Sequence, residues 1–239
     1  MKIIVVMPAY KAALTIESVF KRIPKEFWKK INKVIVVNDG STDNTEKVID
    51  KLKKKYPKIL KINHKVNQGY GAVQKTGFTK ARELGADIAI LLHSDGQYPP
   101  EILQKMISPI EKGKADVVLG SRMLGGEALK GGMPLYKYLG NRFLTFIENI
   151  AYGMNITEYH TGYMVYSKKA LNTIPFKKLS DTYHFDGEMI MMSGKKKLRI
   201  AQIPISTHYG NEKSHLKPIK YGMDVLRIIW RNWTGKYDF

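Results

Sequence analysis

Residues 88–97 read Ile-Ala-Ile-Leu-Leu-His-Ser-Asp-Gly-Gln, an unbroken apolar run that ends abruptly in polar side chains. A short apolar run of this kind is typical of a strand buried on both faces. Asp95 then places a carboxylate at the mouth of that strand, where burial is costly unless the charge is paired or binds a cation. Taken alone, the same residues also fit a capped turn. The segment predicts a buried strand with a polar site at its carboxyl end.

Short apolar runs alternate with helix-spaced segments on both sides of this strand. Further strands are predicted at 3–7, 34–37, 59–62 and 117–119, and helices at 12–22, 45–56, 71–84 and 100–111. Such alternation indicates βαβ units. We therefore expect an α/β fold, with a Rossmann-like, mainly parallel sheet flanked by helices.

The alternation weakens after Gly120. Residues 124–133 contain four glycines and predict a mobile loop. Residues 135–154 have the spacing of a longer helix, and the chain then mixes short strands and helices to about residue 202. Residues 218–233 predict an amphipathic helix. With no long linker or internal repeat, residues 1–239 are expected to form a single domain.

Charge and composition limit the classes of partner. The formal net charge is +19, which attracts nucleic acid, an anionic membrane surface or a phosphorylated small molecule, although a lysine-rich surface also serves solubility alone. The chain has no cysteine, so disulfides, thiol nucleophiles and zinc–thiolate sites are excluded. This composition suits a reducing cytoplasm. No apolar run approaches the ~18 residues of a spanning helix.

Five polar or turn-forming segments follow the five predicted strands. They are Pro8-Ala9-Tyr10, Asn38-Asp39-Gly40 and the residues to Thr45, Asn67-Gln68-Gly69-Tyr70-Gly71, His93-Ser94-Asp95-Gly96-Gln97, and Gly120-Ser121-Arg122. Ligands of open parallel sheets bind beyond the carboxyl ends of the strands, so these segments are expected to converge. The glycine patterns of dinucleotide-binding and P-loop proteins are absent from the sequence.

Together these motifs resemble glycosyltransferase family 2, whose fold is called GT-A. The second half resembles the dolichyl- or polyprenyl-phosphate mannose and glucose synthases of that family. The matching residues there are Gly162-Tyr163 with Tyr166, Asp186-Gly187-Glu188, and Lys213-Ser214. The resemblance implies a nucleotide-sugar-binding half, 1–122, and a smaller mixed acceptor-binding half, 123–239, ending in the amphipathic helix.

The resemblance also implies the residues that bind the donor. Asp39 is expected to accept a hydrogen bond from the base, and Asp95 to hold a divalent cation on the diphosphate. Arg122 is expected to bind phosphate through its fork of donors. The other expected donor-binding residues are Pro8, Ala9 and Tyr10 around the nucleoside and Gly69 and Gly71, where the backbone would pass close to it.

The cation site departs from the family pattern at one position. The family commonly has Asp-x-Asp, whereas this chain has His93 at the first position. The expected ligands are Asp95, Gln97 and His93, for Mn²⁺ or Mg²⁺, with manganese favoured by a nitrogen ligand. Two roles stay open for His93, which either binds the cation or orients Asp95.

The implied reaction is inverting transfer of a hexose from a donor of the GDP-mannose or UDP-glucose type to a polyprenyl or dolichyl phosphate. A phosphate acceptor is already an anion and needs cations rather than a base. The expected cations are Arg122, Arg142, Lys213 and His215. A glycan hydroxyl acceptor, the alternative, would need a base, for which Asp186 and Glu188 are the candidates.

The helix at 218–233 carries Trp230 and Trp233 beside Arg227 and Arg231. This pattern fits peripheral contact with an anionic membrane, at its inner face, and equally a helix packed on the domain by its apolar side. A basic nucleic-acid-binding protein is the alternative from another class. Scattered lysines without an aromatic–basic motif disfavour it.

Overall fold

The structure, a computed structural model, describes residues 1–206 and 218–239. Its strands are β1 (Ile3–Ala9), β2 (Ile31–Asp39), β3 (Ile59–His64), β4 (Ile88–Leu91), β5 (Val117–Ser121), β6 (Met164–Ser167) and β7 (Ile200–Pro204). Its helices are α1 (Ile16–Arg22), α2 (Lys25–Lys30), α3 (Thr45–Lys55), α4 (Tyr70–Glu83), α5 (Leu103–Glu111), α6 (Glu127–Lys130), α7 (Leu135–Tyr152), α8 (Lys168–Thr173), α9 (Phe185–Lys195) and α10 (Pro218–Trp233). Three short 3₁₀ turns lie at Pro100–Ile102, Leu124–Gly126 and Phe176–Lys178.

The seven strands form one sheet in the order β3-β2-β1-β4-β6-β5-β7. All neighbours pair in parallel except β6, which runs antiparallel to both β4 and β5. Strands β6 and β7 come from the second half of the sequence, and β6 lies between two strands of the first half. The two predicted halves therefore share one sheet.

Two hydrophobic cores cover the two faces of the sheet. Along β1 the side chains alternate between them, with Ile3 and Val5 on one face and Ile4 and Val6 on the other. Helices α1, α3 and α5 contribute buried residues to the first core, and α4, α8 and α9 to the second. A central sheet covered on both faces explains why its strands read as continuous apolar runs.

The predicted α/β fold and all five predicted strands are confirmed. Helix α2 was not predicted, because its six residues are too few for helical periodicity to register. The predicted helix at 12–22 begins only at Ile16, since residues 12–15 form a turn whose Ala12 carbonyl accepts from the Thr15 and Ile16 amides.

The prediction of a loop at 124–133 was wrong over its central part. Residues Glu127–Lys130 form α6, and Ala128 is fully buried against Met123 and Met133. The glycines lie on either side of this turn, and Gly126 before it has a φ of 74°. They therefore begin and end a short helix that has its own small apolar contact.

Candidate functional site

The strand ends converge at the carboxyl edge of the sheet, as predicted. Ser94, after β4, donates from Oγ to the carbonyl oxygen of Pro8 in β1 at 2.7 Å. Ala9 is buried, whereas the ring of Tyr10 is half exposed just beyond the strand. The side chain of Tyr10 is thus available to a ligand above the edge, while Ala9 belongs to the core.

Asp39, at the end of β2, is buried and organises the next loop. Its Oδ1 accepts from the Gln68 amide at 2.9 Å and lies 2.7 Å from Nδ1 of His64, and its Oδ2 accepts from the Gly69 amide at 3.0 Å. An ionised carboxylate has about four acceptor positions, so Asp39 could accept one more hydrogen bond from an N–H of the nucleotide base. Asp39 is therefore a loop-fixing residue whatever else it binds.

Gly69 and Gly71 lie against the chain itself. A Cβ at Gly69, where φ is 102°, would lie 2.5 Å from the carbonyl oxygen of Asp181, and one at Gly71 would lie 2.4 Å from that of Ser180. The Gly71 amide also donates to the Asp181 carbonyl at 2.9 Å. The close approach that these glycines permit is to residues 180–181, whereas we expected it to be to a nucleoside.

The residues predicted to hold a cation lie together after β4. Asp95 Oδ1 accepts from the Gln97 amide at 3.0 Å, and Asp95 Oδ2 lies 3.9 Å from Nδ1 of His93. The Asp95 side chain is 44% exposed, and that of His93 only 16%. Within residues 1–206 and 218–239, no three His, Asp or Glu side chains are grouped closely enough to hold a metal ion by themselves. A cation at Asp95 would need ligand oxygens from elsewhere.

A chain of hydrogen bonds joins His93 to Asp186, which lies in the first turn of α9. The Tyr70 hydroxyl lies 2.9 Å from His93 Nε2 and donates to Asp186 Oδ2 at 2.5 Å. Gln74 donates to the other oxygen, Oδ1, at 2.9 Å. Burial raises the pKa of Asp186, and the hydrogen bonds from Tyr70 and Gln74 oppose that rise. Asp186 is thus part of a buried polar network that reaches His93, one of the residues predicted to hold a cation.

Glu188, the second predicted base, accepts hydrogen bonds within the protein at both carboxylate oxygens. Its Oε2 accepts from the Ser180 amide at 2.6 Å, and its Oε1 accepts from the hydroxyl of Tyr237 near the C-terminus. The residue is 2% exposed. A carboxylate held at both oxygens and shielded from solvent is poorly placed to take a proton from an acceptor. Glu188 therefore links the backbone at Ser180 to the side chain of Tyr237.

Arg122 follows β5 and pairs with the fully buried Glu158. Its Nε donates to Glu158 Oε1 and its backbone amide to Oε2, both at 2.7 Å, and its guanidinium also reaches the His160 carbonyl. Asn141 of α7 donates to the same Oε1 at 3.0 Å. The fork predicted for phosphate therefore has a carboxylate within the protein as a partner. Sequence reasoning missed Glu158, which lies in a segment without periodicity.

Of the other predicted acceptor cations, the structure describes only Arg142. Arg142 is exposed on α7, one residue from Asn141. Lys213 and His215 lie outside the described residues. The prediction of an acceptor-phosphate subsite built from these residues therefore stays a prediction.

A second buried polar group lies beneath α7 and α10. Glu148 Oε2 is 3.3 Å from His160 Nε2, and His160 Nδ1 is 2.9 Å from the Tyr221 hydroxyl. The His184 ring stacks on Tyr221 at 4.5 Å. Burial raises the pKa of Glu148 to about 8 and lowers the pKa of His160 to about 4. Burial thus favours the uncharged form of each group, and Tyr221 connects the start of α10 to the segments that carry Glu158 and Asp186.

Helices α7 and α10 pack together and expose an apolar face. In α7 the two buried side chains, Thr145 and Glu148, are polar, whereas many of its large apolar side chains are exposed. Six apolar residues of α7 are 56–66% exposed and four of α10 are 48–67% exposed. We call these ten residues the exposed apolar face: Leu135, Tyr136, Leu139, Phe143, Phe146, Ile150, Met223, Leu226, Trp230 and Trp233.

The last helix packs on the domain by one side, as one of the two alternatives expected, and exposes large apolar residues on the other; contact with a membrane stays a prediction. Val225 and Ile229 of α10 are buried, so one side packs on the domain, while Trp230 and Trp233 extend the exposed apolar face. Trp233 donates from its indole to the Ala151 carbonyl at 3.4 Å, which places it at the end of α7. No helix of the described residues has the length and apolarity to cross a membrane.

A mainly parallel sheet with polar loops at its carboxyl edge is the arrangement of the GT-A class. A crystal structure of glucosyl-3-phosphoglycerate synthase from Mycobacterium tuberculosis with UDP has the same fold, with a TM-score of 0.70 at 18% identity over 95% of this chain and 78% of that one. Another, with Mn²⁺, UDP and phosphoglyceric acid, gives a TM-score of 0.69 at 19% identity, covering 95% and 76%. These likenesses confirm the predicted GT-A fold.

Sequence comparison identifies the family. The model for glycosyl transferase family 2 matches residues 4–174. A UDP-N-acetylglucosamine–dolichyl-phosphate N-acetylglucosaminyltransferase of Methanococcus voltae is 33% identical over 87% of this chain and 86% of its own length. A dolichol-phosphate mannosyltransferase of Pyrococcus furiosus is 27% identical over 100% of this chain and 66% of its own. The chain belongs to glycosyl transferase family 2, as its motifs predicted.

Proposed function

We propose that this protein transfers a sugar from a nucleoside diphosphate sugar to a polyprenyl or dolichyl phosphate, with inversion at the anomeric carbon. The observation that carries the proposal is the exposed apolar face next to the polar edge of the sheet. Two relatives that span most of this chain are named for transfer to dolichyl phosphate. Family membership supplies the donor class, and the apolar face supplies a place for a lipid acceptor.

The apolar face adjoins the proposed reaction centre through its helices. Asn141, in the second turn of α7, bonds Glu158, which holds Arg122. Tyr221, in the first turn of α10, bonds His160 of the same segment. A lipid lying along the two helices would therefore have its phosphate end near Arg122 and its chain against apolar side chains.

The same face supports peripheral contact with an anionic membrane. Burying one large apolar side chain is worth about 1.5–3 kcal/mol. Removing ten such side chains from water would therefore contribute a large favourable free energy of association. Arg142, Arg227 and Arg231 are exposed on the same two helices and add attraction to anionic headgroups. We place the protein at the inner face of the membrane, where its lipid substrate would be.

The donor would lie above the carboxyl edge of the sheet. Tyr10 offers an exposed ring for the nucleoside, and the loop fixed by Asp39 forms the floor. UDP-N-acetylglucosamine is the first donor to test because the relative with 33% identity is named for it.

The residues after β4 fit a divalent cation on the diphosphate. Asp95 Oδ2 and His93 Nδ1 face each other at 3.9 Å, a separation compatible with two ligands about 2.1 Å from one ion. Diphosphate oxygens would complete the coordination. When bound, the ion would stabilise the negative charge that develops on the departing nucleoside diphosphate.

The acceptor phosphate needs no general base, which agrees with the state of the two buried acids. Glu188 is bound at both oxygens, and Asp186 accepts from Tyr70 and Gln74. A glycan hydroxyl would require one of them to take a proton. The phosphate acceptor is therefore the better fit to these contacts.

Two measurements test the proposal. Thermal shift with UDP- and GDP-sugars, with Mn²⁺ and with chelator, identifies the donor by an increase in melting temperature that depends on the ion. Transfer of that sugar to a polyprenyl phosphate, followed by NMR of the product, is expected to show the anomer opposite to that of the donor. A product of retained configuration would contradict the inverting reaction, and full activity in chelator would contradict the role of the cation.

A further inference from the structure

We propose that Tyr70 and Asp186 determine which ring nitrogen of His93 carries the proton, so that Nδ1 presents a lone pair to the cation at Asp95. Tyr70 and Asp186 would be positioning residues, acting through His93 without touching the ion or the sugar. The inference deepens the proposed function and rests on its use of a divalent cation.

The proton assignment follows from the two hydrogen bonds of the Tyr70 hydroxyl. That hydroxyl has one proton, and it lies 2.5 Å from Asp186 Oδ2 and 2.9 Å from His93 Nε2. An ionised carboxylate only accepts, so Tyr70 donates to Asp186. The Tyr70 oxygen is then the acceptor towards the ring, and Nε2 of His93 must carry a hydrogen. In a neutral imidazole the lone pair is then on Nδ1.

The neighbouring Gln74 also favours donation from the Tyr70 hydroxyl to Asp186. Gln74 donates to the second oxygen of Asp186 at 2.9 Å, so both oxygens act as acceptors. With both carboxylate oxygens accepting, the Tyr70 hydroxyl is the hydrogen-bond donor in its contact with Asp186.

The other ring nitrogen of His93, Nδ1, lies near Asp95, the predicted cation ligand. His93 Nδ1 lies 3.9 Å from Asp95 Oδ2, which is too long for a hydrogen bond. Asp95 Oδ1 is already turned to the Gln97 amide at 3.0 Å. A nitrogen lone pair and a carboxylate oxygen 3.9 Å apart are a pair of ligands that suits Mn²⁺ better than Mg²⁺.

Close packing fixes the ring of His93 in this orientation. A Cβ at Gly162 would lie 2.7 Å from His93 Nε2 and 2.9 Å from the Tyr70 hydroxyl, so only glycine fits beside the pair. The Tyr98 ring meets His93 edge-on at 5.1 Å. A metal-binding histidine whose second nitrogen is held in this way gains a defined tautomer and ring orientation.

The direct test is the protonation of His93 measured by long-range ¹H–¹⁵N NMR on histidine-labelled protein, without any ligand. The signal is assigned by its loss in His93→Asn. We expect Nε2 to be protonated and Nδ1 not. A wild-type protein with Nδ1 protonated and Nε2 bare would overturn the inference.

The second test removes the hydroxyl with Tyr70→Phe. Without it, the strongest acceptor near the ring is the Asp95 carboxylate, so the proton is expected to move to Nδ1. Affinity for Mn²⁺ in the presence of UDP, measured by electron paramagnetic resonance, should fall about tenfold or more. Tyr183→Phe is the matched control, because Tyr183 stacks on Tyr70 at 5.4 Å and lies outside the relay.

A double-variant cycle separates the relay from a direct role of Asp186. Asp186→Asn alone should weaken Mn²⁺ binding, because a neutral amide is a poorer acceptor for Tyr70. In the Tyr70→Phe background the same substitution should have no further effect. Additive losses would contradict an action through Tyr70 and His93.

The failure of the inference can be told from failure of the proposed function. Mn²⁺ with UDP that binds as tightly to Tyr70→Phe as to the wild-type protein would overturn the inference and leave donor binding intact. Absence of Mn²⁺ binding in the wild-type protein would contradict the proposed use of the ion. In that case, NMR of His93 without ligand would still show whether Tyr70 and Asp186 determine which ring nitrogen carries the proton.

Discussion

The carboxyl edge of the sheet and the exposed apolar face reverse the usual distribution of side chains. At the edge, Asp39, Glu158 and Asp186 are buried acids, each held by hydrogen bonds. On α7 and α10, ten large apolar side chains are exposed. Buried polar groups and large exposed apolar surfaces are the two departures from ordinary packing that most often indicate function.

The two regions differ in whether their unusual side chains have partners within the described part of the protein. The buried acids are partnered inside the protein, so the edge is a preorganised polar site that a charged donor could enter. Beside the apolar face, Thr145 and Glu148 of α7 are buried, while the ten apolar side chains of the face stay exposed among the described residues. Substitutions at the edge should therefore cost stability or catalysis, whereas substitutions on the face should affect only association with lipid.

The largest effect on stability is expected at the buried pair. Glu158→Ala leaves Arg122 without its carboxylate, and breaking a buried pair typically costs about 3–5 kcal/mol. Urea unfolding should show that loss. Glu26→Ala, which removes an exposed partner of Lys29, is the control and should change stability by under about 1 kcal/mol. Equal effects of the two substitutions would remove the distinction between edge and surface.

The largest effect on catalysis is expected at Asp95. Asp95→Asn removes the carboxylate for the cation, and sugar transfer should fall by at least about a hundredfold, a loss of roughly 2.7 kcal/mol in transition-state stabilisation. The side chain is partly exposed, so the melting temperature should stay unchanged. Asp181→Asn, on an exposed carboxylate paired with Lys75, should leave transfer at the wild-type rate. A variant Asp95→Asn with wild-type turnover would contradict the cation site.

A smaller effect is expected on the apolar face. Phe143→Ser should weaken binding to anionic vesicles about tenfold, the equivalent of roughly 1.5 kcal/mol for one apolar side chain, without loss of stability in water. Leu14→Ser is the control, because Leu14 is an almost fully exposed residue away from the face. If both substitutions weakened vesicle binding alike, the face would have no special role.

The smallest effect is expected for a single charge near the face. Arg142→Gln should weaken binding to anionic vesicles about fivefold at low salt, since one basic residue near the surface contributes about 1 kcal/mol. High salt should abolish the difference. Lys54→Gln, on an exposed residue of α3, is the control. A salt-independent loss would indicate that Arg142 acts by a contact other than charge.

The sheet and the positions of its polar loops were predictable because both are local in the sequence. Strand length, β-branched content and the polar residue after each strand are local features, and Asp39 and Asp95 followed from them. The parallel topology then brings the carboxyl ends together without further information. The family motifs made the same segments recognisable.

The partners of those residues were not predictable. Arg122 pairs with Glu158, 36 positions away, and Tyr70 bonds Asp186, 116 positions away. Nothing in local periodicity reports such contacts. They show that Arg122 has a carboxylate partner within the protein and that Asp186 accepts hydrogen bonds from Tyr70 and Gln74.

The exposed apolar face shows a different limit of sequence reasoning. The spacing of Phe143 and Phe146 predicted an apolar side of α7 correctly, but a hydrophobic pattern does not say what covers it. A buried side and a lipid-facing side have the same periodicity. The burial of Thr145 and Glu148 on the opposite side is what distinguishes them here.

If the acceptor is a lipid phosphate, two lipids that differ only in the phosphate group should behave differently, and comparing them is the most direct measurement. Vesicles with dolichyl phosphate or with dolichol are incubated with the protein, Mn²⁺ and labelled UDP-N-acetylglucosamine, UDP-glucose or GDP-mannose. We predict that label from one of these donors enters the lipid phase with dolichyl phosphate and not with dolichol. Equal labelling of dolichol, or transfer to a glycan hydroxyl while dolichyl phosphate stays unlabelled, would contradict the account.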